Sequence, residues 1–166
     1  MYTDFNSISA HSKIWIYQTN RILSAKEENI VAYELKKAIE GWEAHGVPLL
    51  GAFQIEFGRF VILAVDENQN QASGCSIDSS TRWFKEIGQK LSIDFFNRSI
   101  FYQSTDGIQD VDLKGIKQKI ELGEIKSDTL VFNSNFVQNK KQLLNEWKVE
   151  AAKIPFLKKY FEKIIA

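Results

Sequence analysis

The sequence predicts an α+β fold with a ferredoxin-like βαββαβ core, and three observations carry that prediction. Phe60 to Val65 is an unbroken apolar run, the pattern of a strand covered on both faces. Ala52 to Phe57, just before it, alternates: Phe53, Ile55 and Phe57 fall on one side, Gln54 and Glu56 on the other, as in a strand with one wet face. Helical periodicity occurs on both sides of this pair, in Val31–Trp42 and in Trp83–Leu91.

Residues 1–12 read as a polar lead-in. Lys13 to Gln18, KIWIYQ, is a short strand rich in aromatic and β-branched residues. Ser24 and Glu27 are spaced as a capping box, in which the hydroxyl and the carboxylate each satisfy an amide at the helix start. Behind it Val31, Leu35, Ala38, Ile39 and Trp42 share a helical stripe, with Gly46 as the stop and Pro48 forbidding continuation. Gly58-Arg59 is a tight connection between the second and third strands. After the apolar run, Asp78-Ser79-Ser80 reads as an N-cap, and Trp83, Phe84, Ile87 and Leu91 as the inward side of a second helix. Ser99 to Gln103 is a fourth strand.

In the ferredoxin-like plan strands one and three are central, strands two and four lie at the edges, and two helices cover one face. The other face of Phe60–Val65 then needs a cover, from the remaining residues or from a second copy. Residues 1–104 are therefore expected to be the α+β core, and 105–166 a mostly helical C-terminal extension packed on its second face, as a single domain overall. Within the extension, Thr105-Asp106-Gly107 is a turn, and Asp112 caps a helix carrying Leu113, Ile116 and Ile120 that ends at Gly123. Thr129 to Phe132 is a fifth strand. Lys140 to Lys148 is helical, with Leu143, Leu144 and Trp147 on one side. Pro155 opens a last helix with Leu157, Tyr160, Phe161, Ile164 and Ile165 on its apolar stripe and Lys158, Lys159 and Lys163 opposite.

Composition narrows the function classes. Twelve Phe, five Tyr and four Trp in 166 residues are enough for a real core. The 21 basic and 21 acidic residues cancel, which argues against a nucleic-acid binder relying on overall charge. One Cys excludes an internal disulfide and a multi-cysteine zinc site. The N-terminus has no apolar signal region, and no run approaches the length of a bilayer span, so the expected compartment is the cytoplasm.

Trp42 to Leu49 (WEAHGVPL), Gly58 to Glu67 (GRFVILAVDE), Ser73 to Ser80 (SGCSIDSS) and Asp128 to Asn133 (DTLVFN) resemble a family of uncharacterised bacterial proteins, some of which carry the label "ABC transporter ATPase". No GxxxxGK[ST] loop is present, so nothing cradles a nucleotide phosphate in the P-loop manner, and the label implies no activity here. Residues 102–131, and above all the LxxIxxxIxxGxIxxDTLV spacing of Leu113 to Val131, are similar to bacterial GYF-like modules, without their Gly-Tyr-Phe signature. That resemblance implies binding of peptides or partner proteins.

Candidate chemistry gathers where the apolar strand hands over to the second helix. Asp66, Glu67 and Asp78 are hard oxygen ligands suited to a divalent cation such as Mg²⁺ or Mn²⁺. Their plain structural reading is a solvated strand end and a helix cap. Cys75, just ahead of a helix N-terminus, is a candidate nucleophile, with His45 as its base and Asp78 as an orienting acid. The plainer reading is a small residue packed in a loop and a histidine near a helix end. Ser76, Ser79 and Arg82 are a candidate anion site at the helix start. Two function classes follow. One is a non-catalytic cytoplasmic module that binds a protein partner or self-associates. The other is an enzyme with a site at the Asp66–Asp78 loop, working by metal-assisted hydrolysis or through the Cys75 thiol.

Overall fold

The computed structural model describes residues 1–165; the side chains of Lys163, Ile164 and Ile165, assigned above to the faces of the last helix, lie outside the described residues. The fold is α+β, and the chain divides into two compact units, residues 1–97 with 138–141 and residues 98–137 with 142–166.

The first unit is built on a three-stranded antiparallel sheet. Its strands are β1 (Lys13–Gln18), β4 (Leu50–Glu56) and β5 (Phe60–Asp66), in the order β1-β5-β4. The continuous apolar run is thus the central strand, and every residue from Phe60 to Val65 is buried. On one face Val61, Leu63 and Val65 pack against Val31, Leu35 and Ile39 of α1 (Ala25–Glu40) and Phe84 and Ile87 of α2 (Gly74–Leu91). Phe60, Ile62 and Ala64, on the opposite face, are equally buried.

This is not the ferredoxin-like arrangement. That plan makes the first and third strands parallel, whereas β1 pairs antiparallel with β5, Trp15 lying opposite Leu63. The expected fourth strand leaves this sheet and belongs to the second unit. The order of elements along the chain resembles the plan, but order alone does not set which edge a strand takes or in which direction it runs.

Ser24 caps α1 as its spacing predicts, its hydroxyl accepting from the Glu27 amide at 3.1 Å, while Glu27 pairs with Arg21 at 2.9 Å. The helix stops at Glu40 rather than near Gly46. Trp42 continues the apolar stripe but is buried beyond the helix end, and its neighbours form a hairpin of β2 (Glu43–Ala44) and β3 (Val47–Pro48). The hairpin turn places His45 at φ 54° and Gly46 at φ 76°, both left-handed, as a type I′ turn requires. The β4–β5 connection is likewise left-handed at Phe57 and Gly58, and is closed by the Arg59 amide on the Glu56 carbonyl at 3.1 Å.

The second unit departs from a mostly helical extension. It holds a four-stranded antiparallel sheet of β6 (Ile100–Ser104), β7 (Gly107–Val111), β8 (Leu130–Phe132) and β9 (Lys148–Glu150), in the order β7-β6-β8-β9. The hairpin partner β7, sequence GIQDV, has too little apolar alternation to stand out, and it forms because the Thr105-Asp106 turn folds it back onto β6. Ile116 and Ile120 of α3 (Ile116–Glu121) join Ile100, Tyr102, Val131 and Leu157 in a separate core. The side chain of Asp112 accepts from the Gly115 amide at 2.7 Å, one turn ahead of that helix, and Leu113 is exposed. In α4 (Lys140–Glu146) Leu143 is buried and Leu144 exposed; in α5 (Pro155–Ile165) Leu157 and Phe161 are buried among the described residues.

Candidate functional site

The loop from β5 to α2 is held by its own side chains. A carboxylate oxygen of Asp66 accepts from the Asn68 amide at 2.9 Å, and Glu67 reaches across to the Ala72 amide at 2.9 Å. Asn70 donates to the Val47 carbonyl at 3.0 Å, so the loop leans on the β2–β3 hairpin.

The N-cap of α2 is Ser73, not Asp78. Ser73 accepts from the Ser76 amide at 3.1 Å, and Ser76 accepts from the Ser73 amide at 2.7 Å. This reciprocal pair satisfies two otherwise orphaned donors. It starts the helix a full turn earlier than the Asp78-Ser79-Ser80 signal implies. Cys75 therefore sits inside the first helical turn and is exposed, and Asp78 projects from the helix into solvent. Ser79 spends its hydroxyl on the Cys75 carbonyl at 2.9 Å. Ser76 is buried, and its carbonyl receives the Trp42 indole at 2.9 Å. Arg82 is exposed on the next turn of α2.

These positions decide which of the predicted residues meet. Ser76 and Ser79 share the start of α2, where their hydroxyls are engaged by the helix's own backbone. His45 lies on a hairpin turn and Cys75 on the helix, both exposed. Asp66 and Glu67 are turned toward loop amides, and among the described residues no group of three His, Cys, Asp or Glu side chains is placed to hold a metal ion.

The second unit carries a groove of its own. The lining of this groove, about 570 Å³, includes Tyr102, Gln109, Lys119, Glu124, Lys126 and Thr129 together with the 103–106 turn. It opens where β6 runs on past the Tyr102–Val131 pairing with β8. Lys119 donates to Glu124 at 2.6 Å across its wall. That bond holds the Lys119 ammonium above its ordinary pKa against the opposing effect of desolvation. Burial raises the Tyr102 phenol; Lys119 pulls it down, while Glu124 and Asp110 push it further up. The wall is thus polar and carries both signs of charge. Sequence reading had no signal for it beyond the Asp106-Gly107 turn and Gly123, because its residues converge only when α3 folds back beside β6.

A shallower groove of about 420 Å³ lies in the first unit, with Phe84, Ile93, Phe95 and Phe96 as its apolar floor and Lys85 and Asp94 at its rim. Among the described residues no helix is long and apolar enough to cross a membrane. No protein-family model, curated protein or solved structure matches the chain.

Proposed function

We propose that the protein is a non-catalytic cytoplasmic module that binds a segment of a protein partner through the groove of the second unit. The carrying observation is the groove itself: about 570 Å³, walled by amide and hydroxyl side chains and a Lys119–Glu124 pair. That volume is within the range of sites that enclose a small ligand or a few residues of peptide. A wall of mixed donors and acceptors without net charge suits a peptide main chain better than an anion or an apolar molecule. Tyr102 is buried and presents no open aromatic face, which disfavours a stacked sugar or base. The resemblance of residues 102–131 to GYF-like modules points the same way, as does the resemblance of most of the chain to uncharacterised bacterial proteins with no assigned chemistry.

Panning a displayed library of random peptides against the intact protein tests this reading. Enriched peptides are expected to lose binding at least tenfold, about 1.4 kcal/mol, in Lys126→Glu and Gln109→Arg variants that keep the parent melting temperature. Peptides that bind those variants as well as the parent would place recognition elsewhere and overturn the proposal.

A further inference from the structure

In the first unit the segment 138–141 lies against the start of the chain. The Ile14 amide donates to the Gln138 carbonyl at 3.0 Å, the Lys140 amide to Ser12 at 3.0 Å, and the Lys141 amide to Ala10 at 2.9 Å. The side chain of Lys140 goes further in. Its ammonium donates to the carbonyls of Phe5 at 2.7 Å, Ile8 at 2.9 Å and Asn6 at 3.2 Å, and lies 5.3 Å from the centre of the Phe5 ring. Lys140 is only 8% exposed, and the contacts of its ammonium are backbone carbonyls rather than a carboxylate.

The chemistry of this arrangement is specific. Phe5 to Ile8 is a tight turn in which the carbonyls of Phe5, Asn6 and Ile8 converge on the Lys140 ammonium, and Phe5 and Ile8 are buried. Buried carbonyls need donors, and a backbone amide supplies one where an ammonium supplies three. Desolvating a charged group is costly, and three charge-assisted bonds with an aromatic face nearby offset that cost. A guanidinium is planar and its donors fan out in one plane, so it does not suit carbonyls gathered around a point.

From this we infer that residues 5–8 form a carbonyl cage for a primary ammonium ion, and that Lys140 fills the cage as a latch holding the N-terminal segment to the first unit. The inference is independent of the partner-binding reading, because the residues concerned lie outside the groove. Removing the side chain beyond Cβ leaves a site whose ligand class is a small primary alkylammonium, with the shape and charge of the atoms removed.

The test compares Lys140→Ala with the parent in n-propylammonium chloride and in tetramethylammonium chloride at equal concentration. The variant is expected to melt roughly 5–10 °C below the parent, with faster hydrogen exchange at residues 8–14. Propylammonium restores part of the loss, and tetramethylammonium, which has no N–H, does not. Equal effects of the two salts, or a variant that melts and exchanges like the parent, would overturn the inference. Should Lys140→Ala not fold, acylation of the native parent chain decides instead. Lys140 is expected to react on the order of tenfold or more slowly than exposed Lys141, and equal rates would show that no latch exists.

Discussion

The indole nitrogen of Trp42 donates to the carbonyl oxygen of Ser76 at 2.9 Å, and both residues are buried. The bond ties the segment just beyond α1 to the first turn of α2, at the spot where the Ser73–Ser76 cap begins that helix. The same indole packs edge-on against Trp83, with ring centres 5.2 Å apart. Trp42→Phe keeps most of the apolar contact and removes the donor. It is expected to lower unfolding free energy by about 1–2 kcal/mol in a urea titration, and an unchanged midpoint would mean that the bond contributes nothing net.

Two glycines in α2 should respond in opposite directions to alanine. A Cβ on Gly88 would meet the Ile93 carbonyl oxygen at 2.5 Å, and that backbone is held in place by the Ile93 amide on the Gly88 carbonyl at 2.9 Å. Gly88→Ala is expected to cost about 1–3 kcal/mol. A Cβ on Gly74, the first helical residue, has open space around it. Gly74→Ala removes unfolded-state freedom and is expected to stabilise by about 0.5–1 kcal/mol. Paired denaturation curves check both, and a shared sign would contradict the geometry.

His45 provides a test of the turn chemistry. At φ 54° its backbone is in a region that Asn tolerates better than His. His45→Asn creates the favoured Asn-Gly type I′ turn and is expected to raise stability by about 0.5 kcal/mol. Thermal melting measures it, and a lower melting temperature would assign the imidazole a structural role beyond the turn.

Tyr17 contributes to the pH dependence of the first unit's stability in the alkaline range. Its ring is stacked on Phe84 at 3.7 Å, and burial raises the phenol above its usual 10.0, more than the opposing hydrogen bonds of Ser80 and Thr81 lower it. A raised pKa means the fold prefers the neutral phenol. Its contribution is complete below the unfolded value near 10 and is lost as pH climbs through the higher folded value. Parent stability should therefore fall above about pH 10 more steeply than that of Tyr17→Phe, and parallel curves would remove Tyr17 from the account. Glu34 carries the opposite sign: Lys90 first, then Lys37, lower its pKa, so its small surface contribution disappears as pH falls through the acid range.

Cys75 is exposed within the first turn of α2, and its replacement by Ser is expected to change stability by less than about 0.5 kcal/mol. Its thiol should react with a maleimide in the native protein at the rate of an open cysteine. Protection until the chain unfolds would show that the first turn is covered in solution.

Local pattern alone was enough for several elements. The apolar monotony of Phe60–Val65 identified a buried strand, because such a run is stable only where both faces are dry. The Ser24 cap and the Val31-Leu35-Ile39 stripe located α1, since caps and periodicity act within a turn or two of backbone. What depended on partners far away in sequence was decided only by the tertiary structure. Whether β1 met β5 parallel or antiparallel, and whether Ile100–Ser104 joined that sheet or another, depended on long-range pairing that leaves no mark in either strand alone. The start of α2 moved from Asp78 to Ser73 because Ser76 could serve the cap and the Trp42 indole together, a contact 34 residues apart. The Lys140 clasp and the groove beside Lys119 leave no local signature for the same reason: their chemistry comes from backbone carbonyls and scattered polar side chains that meet only after folding.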